Sequence, residues 1–261
     1  MMKPNHDNLY WLISFFLLFI FTQNLWAGPE PVLYEKKTWL KNIDHQFGGH
    51  LKLEQDLSGY DTRSYFKLVG TRTGLDSLAN VRLTDKLILS EKIYFEIHYE
   101  AFFKSGATYK KQYEIQKKFP QIAAGLKSQP LNIDKRRLFD LTKTIKDTDE
   151  YVLWNRLDRL FFSIKPSWGD ILIGRQAITW GNGFMFNPMD LFNPFAPSDT
   201  IRDYKMGDDL ISLSFNTDFS GECSLLYVPR RDVITEKPDF ESSSIAGKFH
   251  FFAKDIEMDV M

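Results

Sequence analysis

The chain has one cysteine, Cys223, among its 261 residues, so no disulfide can form within it. Small exported domains ordinarily lean on such cross-links, and any stability here must come from another source. Surplus charge is missing too. The 33 Lys and Arg are balanced by 34 Asp and Glu, a formal net charge of -1. That excludes the basic excess of a nucleic-acid binder, and no nucleic-acid partner is expected. Beyond the N-terminus, no apolar run reaches the roughly 20 residues of a membrane-spanning helix. Catalytic signatures are also absent: there is no G-x-S-x-G, no H-E-x-x-H and no Gly-rich phosphate loop. The expectation is a protein that is not an enzyme and carries no cofactor or metal. His45 and His50, flanking Gly48-Gly49, read as interface polarity rather than a site.

Aromatic residues are abundant, with 23 Phe and 15% Phe, Trp and Tyr together, yet 26% of residues are charged. The N-terminus carries Lys3, an apolar run from Leu9 to Phe21, polar Thr22-Gln23-Asn24, then Leu25-Trp26-Ala27 before Gly28. A positive start, a short apolar core and a small residue at the end read as a secretory signal peptide over 1–27. Residues 28–46 then form a periplasmic N-terminal segment, and 47–261 the folded part.

From Phe47 onward the dominant signal is two-residue alternation, the mark of strands whose two faces meet different surroundings. In Ile93-Tyr94-Phe95-Glu96-Ile97-His98-Tyr99-Glu100, odd positions are Ile, Phe, Ile and Tyr, and even positions are Tyr, Glu, His and Glu. The strand reading is 47–57, 79–89, 93–103, 152–165, 171–180, 210–217, 222–229 and 244–253. Long and short connections alternate between these eight, as in outer-membrane barrels with long extracellular loops and short periplasmic turns. The fold class expected is therefore all-β, an antiparallel transmembrane β-barrel. Trp154, Trp168 and Trp180 fall near strand ends, where aromatic girdles meet the membrane interfaces. The segment 104–151, crowded with Lys and Arg, reads as a large extracellular loop with a short helix around Leu138 to Ile145 and a lipopolysaccharide contact.

Residues 168–209 form the most distinctive stretch. They hold Gly174-Arg175-Gln176, Trp180-Gly181-Asn182-Gly183 and the run from Asn187 to Pro194, after a strand containing Asp158-Arg159-Leu160. Over 150–215 the chain resembles a group of poorly characterised, porin-like outer-membrane β-barrel proteins of Gram-negative bacteria. The resemblance implies a barrel in the bacterial outer membrane, with outer-membrane lipids, lipopolysaccharide and the barrel-assembly machinery as partners. The residues themselves explain why such a loop would exist. Gly181 and Gly183 permit a sharp turn, while Asn187-Pro188, Asn193-Pro194 and Pro197 restrict the chain. Met185, Phe186, Met189, Leu191, Phe192 and Phe195, around Asp190, are too apolar for a loop in water. The loop is expected to pack against the inside of the wall, as a constriction or as a rigid plug.

If lipid faces the odd positions of 93–103, then Glu96, His98 and Glu100 face a lumen. The same reasoning adds Arg159, Lys165, Lys248 and His250. Arg175 joins them because a charge at mid-bilayer would cost roughly 2–4 kcal/mol, although Ile171 and Ile173 share its parity. Both signs of charge occur, so strong ion selectivity is not expected. Asp199, Arg202, Asp203, Lys205, Asp208 and Asp209 form a mixed-charge tail to the loop without the acidic spacing of a calcium site. The function expected is passage of small hydrophilic solutes, with a homo-oligomer as one form. The alternatives are a structural or export-assisting barrel for a surface polymer and, behind it, a barrel-embedded lipid hydrolase. The C-terminus lacks a terminal aromatic strand, and the expectation is a barrel truncated at that end.

Overall fold

The computed structural model describes residues 43–61, 63–70, 72–121, 133–180, 192, 204–217, 221–253 and 256–261. The chain divides into two units, Met1–Lys41 and Asn42–Met261, and all described residues lie in the second. The signal-peptide reading therefore falls outside them.

The alternation becomes one ten-stranded sheet. Its strands are β1 (Asp44–Gly59), β2 (Thr73–Ser90), β3 (Ile93–Gly106), β4 (Thr142–Asp147), β5 (Tyr151–Ile164), β6 (Gly169–Gln176), β7 (Asp208–Thr217), β8 (Gly221–Arg231), β9 (Pro238–Ala253) and β10 (Ile256–Val260). The order is β1-β2-β3-β5-β6-β7-β8-β9-β10, with β4 attached to β5, and every pairing is antiparallel. All eight expected strands are present. β4 and β10 are additional, and β1 and β10 are not paired with each other, so the sheet is open. The strand ends Ser90 and Ile93, Ile164 and Gly169, Thr217 and Gly221, and Ala253 and Ile256, which bound short connections, lie at one end of the antiparallel sheet. The strand ends that bound the longer connections lie at the other.

Two expectations about local structure are corrected. The stretch from Leu138 to Ile145 holds no helix; it leads into β4. The helix of that connection is α1 (Ala107–Lys118). Asp76 on β2 explains its start, because Oδ1 accepts from the Thr108 N–H at 2.9 Å and the Tyr109 N–H at 3.4 Å. These donors have no partner within the helix itself. Trp154 is also not at an exposed girdle. It is 4% exposed and stacks on Phe102, with centroids 4.8 Å apart. β6 ends at Gln176, so Trp180 lies beyond its strand.

The sheet's two faces have opposite characters. Phe95, Phe162, Ile173, Ile211, Tyr227 and Ile245 stand directly opposite one another in turn, an apolar row crossing six strands on one face. Phe162 is 47% exposed and Ile245 72%. Leu51, Leu53 and Leu57 continue this face on β1, all exposed. The other face carries Arg82, Glu100, Arg156, Ser212 and Ser224, all buried. Among the described residues, buried polar or charged side chains outnumber buried apolar ones eighteen to twelve.

At the long-connection end the sheet changes composition. β6 and β7 stop at Gln176 and Asp208, while β5 and β8 extend further. The space beside β5 is taken by β4, with Thr142 opposite Arg156 and Asp147 opposite Val152. Arg137 makes an isolated bridge to Arg230 at the end of β8. Arg231 donates to the carbonyls of Asp134 and Lys135 at 2.9 and 3.1 Å. Residues 133–147 therefore join β5 to β8 where β6 and β7 have left the sheet.

Candidate functional site

The polar face carries three connected groups of side chains. The first is built on rungs of β2, β3 and β5, where Arg82 stands opposite Glu100 and Glu100 opposite Arg156. Glu100 is fully buried. It accepts from Arg82 Nη1 at 2.8 Å, from Arg156 Nε and from the Tyr204 hydroxyl. A register shift between β3 and β5 lets the adjacent residues Asp158 and Arg159 both stay on this face. Asp158 Oδ2 accepts from Arg82 Nη2 at 3.0 Å and Arg159 Nη1 at 2.6 Å, and its Oδ1 accepts from the Gly207 N–H at 3.2 Å. Three guanidinium groups thus share two carboxylates. An isolated buried ion would cost several kcal/mol, and this mutual pairing offsets that cost.

His98 extends the group. Its Nδ1 lies 2.6 Å from Arg82 Nη2 and its Nε2 lies 2.8 Å from Glu96 Oε1. Arginine can only donate, so Nδ1 accepts and Nε2 carries the proton given to Glu96.

The second group is centred on Arg175, which is 2% exposed. Asp209 receives its Nε at 2.8 Å and Nη2 at 3.1 Å, a two-point clasp; Nη1 reaches Asp134 at 3.1 Å and Nη2 the Phe139 carbonyl at 2.6 Å. Asp134 also accepts from Arg137 at 2.7 Å, the Leu141 N–H at 3.0 Å and Thr142 Oγ1 at 2.7 Å. Arg230 clasps Asp208 with two bonds of 2.6 Å. Burial pushes the Asp134 carboxyl up, but Arg175 and Arg137 beside it hold it below the usual carboxylate value. The parity conflict at Arg175 has a local answer. Gly174 has φ +129°, which breaks the alternation between exposed Ile173 and buried Arg175.

The third group links the 177–207 connection to the sheet. Beyond β6, Ile178, Trp180 and Phe192 pack on buried Leu210, Leu226 and Val228 of β7 and β8. Trp180 and Phe192 meet edge to face at 5.9 Å. The Trp180 carbonyl accepts from Lys248 Nζ of β9 at 3.0 Å. The returning end lies over β2, β3 and β5 instead. Tyr204 bonds Glu100, Met206 Sδ accepts from Arg156 at 3.0 Å, and the Lys205 carbonyl accepts from Arg159. One connection is therefore anchored at two separated parts of the same polar face.

Of the residues singled out from sequence, Glu96, His98, Glu100 and Arg159 join the first group and Arg175 centres the second. Lys248 and His250 stand on β9 and both reach Asp259, at 3.1 and 2.9 Å. Lys165 lies just past β5, 4.0 Å from Asp170. Trp180 and Phe192 belong to the third group. Gly181, Asn182, Gly183, Asn187, Pro188, Asp190, Asn193 and Pro194 lie outside the described residues. Sequence reasoning missed Arg82, Asp134, Arg156, Asp158 and Tyr204. Arg82 was within reach, since Asn80, Arg82, Thr84 and Lys86 alternate with Val81, Leu83 and Leu87.

His98 contacts Arg82 and Glu96, and His250 contacts Asp259. Among the described residues, no cluster of His, Cys, Asp and Glu could hold a metal ion. Compared with known proteins, the chain matches no protein-family model, no curated protein and no solved structure.

Proposed function

We propose that this protein is an outer-membrane β-barrel channel, porin-like in character, through which small hydrophilic solutes pass. The observation that carries the reading is the inverted sheet, with large apolar side chains exposed on one face and charged side chains buried on the other, a pattern that suits lipid outside and a polar interior. Transmembrane strands must satisfy every backbone group, so the open edges of β1 and β10 need partners in the membrane. The long connections lie outside the cell in this reading and the short ones in the periplasm. The two ends of the 177–207 connection are held on the polar face, Trp180 by Lys248 and Tyr204 by Glu100. The porin-like resemblance of residues 150–215 agrees with this role, which is transport rather than catalysis.

A structural or export-assisting barrel is the second reading. It is favoured by the sealing of Glu100, Asp134 and Arg175 inside ion networks rather than along an open passage. Single-channel recording in planar bilayers separates the two. A channel gives stable conductance that changes when residues 184–198 are deleted. Zero conductance from protein that migrates as a heat-modifiable folded form defeats the channel reading, and extraction without detergent defeats the barrel itself.

A further inference from the structure

A cavity of about 380 Å³ opens at the short-connection end of the sheet, lined by Lys165, Pro166, Asp170, Ser214, Asn216 and Glu222 among others. It is separate from the ion groups at the other end, and its volume sits at the small end of the ~300–1,000 Å³ typical of small-molecule sites.

Two polar rows of the sheet start at its lining residues Asp170 and Ser214, and Asn216 and Glu222, and continue beyond it. In one, Asp170 stands opposite Ser214, Ser214 opposite Ser224 and Ser224 opposite Lys248. In the other, Asn216 stands opposite Glu222, Glu222 opposite His250 and His250 opposite Asp259. The cavity itself is lined by the Ser214 hydroxyl, the Asp170 and Glu222 carboxylates, the Asn216 amide and the Lys165 ammonium.

The lysines at and beside the cavity already have carboxylate partners. Lys165 Nζ lies 4.0 Å from Asp170, Lys248 Nζ 3.1 Å from Asp259 and His250 Nδ1 2.9 Å from Asp259. Glu222 Oε1 accepts from Ser224 Oγ at 3.3 Å. An anionic solute would have to compete with these pairs. A hydroxyl need not, because it donates to a carboxylate and accepts from an ammonium or amide at once. Pro166 adds apolar surface to the lining, suited to the C–H face of a ring.

We infer that this cavity is a binding site for a neutral polyhydroxylated solute of mono- to disaccharide size, a reading that rests on the channel proposal for its purpose. Asn216 and Glu222 are exposed and supply the cross-strand amide–carboxylate pair that grips adjacent hydroxyls.

The test is calorimetric titration of the full chain in detergent with glucose, sucrose, a diamine and succinate, repeated on an Asn216→Ala/Glu222→Ala double variant. Glucose or sucrose is expected to bind saturably, and the double variant to bind it about tenfold more weakly while keeping its heat-modifiable migration. The inference is overturned if neither sugar binds, if the diamine or succinate binds instead, or if the double variant binds sugar unchanged. Planar-bilayer conductance, measured in parallel without sugar, reports on the channel reading alone. Sugar binding without conductance would retain the site and reject the channel; conductance without sugar binding would do the opposite.

Discussion

The guanidinium carbon of Arg82 lies 3.6 Å from the ring centroid of Tyr204, while the Tyr204 hydroxyl bonds the same Glu100 that Arg82 holds. One aromatic side chain at the returning end of the 177–207 connection thus closes a triangle with a buried ion pair. A cation–π contact of this kind contributes ~0.5–2 kcal/mol, the upper figure applying when the cation is desolvated.

Removing that ring should release the connection. Tyr204→Ala is expected to enlarge single-channel conductance and raise current noise. Tyr204→Phe, which keeps the ring over Arg82, should stay close to the parent. Equal behaviour of the two variants would mean that the hydroxyl, not the ring, fixes the anchor.

The inverted sheet makes a prediction that a water-soluble protein would contradict. Ile211 is 46% exposed, in the apolar row between Ile173 and Tyr227. With lipid on that face, Ile211→Arg should lower folding free energy by roughly 2–4 kcal/mol near mid-bilayer. With water there, the change should stay within about 0.5 kcal/mol. Urea titration of protein folded into phospholipid vesicles measures the difference.

Asp134 carries a pH dependence. Its carboxyl titrates lower in the folded chain, burial being outweighed by Arg175 and Arg137. Its contribution is therefore complete above the unfolded carboxyl value of ~3.9 and is lost as pH falls through the lower folded value. Asp134→Asn is expected to cost about 3–5 kcal/mol at neutral pH, because it leaves buried guanidinium groups short of a counter-charge. The deficit should begin to shrink below about pH 4, where the unfolded chain takes up the proton, and vanish once the folded parent is protonated too. Thermal melts in detergent between pH 3 and 7 would reveal a constant deficit if Asp134 contributes only by shape.

Strands were legible in the sequence because their period is local: Ile93 to Glu100 shows both faces without reference to any neighbour. The additional strand was not. Thr142–Asp147 is a short, mostly polar segment, and it becomes a strand only because β6 ends early and exposes the edge of β5. The site was half legible for the same reason. Parity placed Glu96, His98 and Glu100 on one face, but their connection to Asp158 depends on a register shift, and that of Arg175 to Asp134 on a segment some forty residues away. Trp154 shows the limit in reverse. Position near a strand end suggested an interface, whereas pairing with Phe102 turns its ring onto the polar face and buries it.

Gly174 gives the last prediction, since one backbone angle redirects a charge. A Cβ built there would lie 2.2 Å from the Leu160 carbonyl oxygen and 2.8 Å from the Phe161 Cα, backbone atoms that cannot swing aside. The φ of +129° adds strain for any L side chain, of order 1–3 kcal/mol. In Gly174→Ala, relaxing the angle would restore simple alternation and point Arg175 to the same side as Ile173. That removes the clasp on Asp209 and the contact with Asp134 together. The expected result is a large fall in the heat-modifiable folded fraction, deeper than in Arg175→Met, which discards the charge but leaves the backbone at rest. A Gly174→Ala protein as folded and as stable as the parent would show that the angle does not steer Arg175.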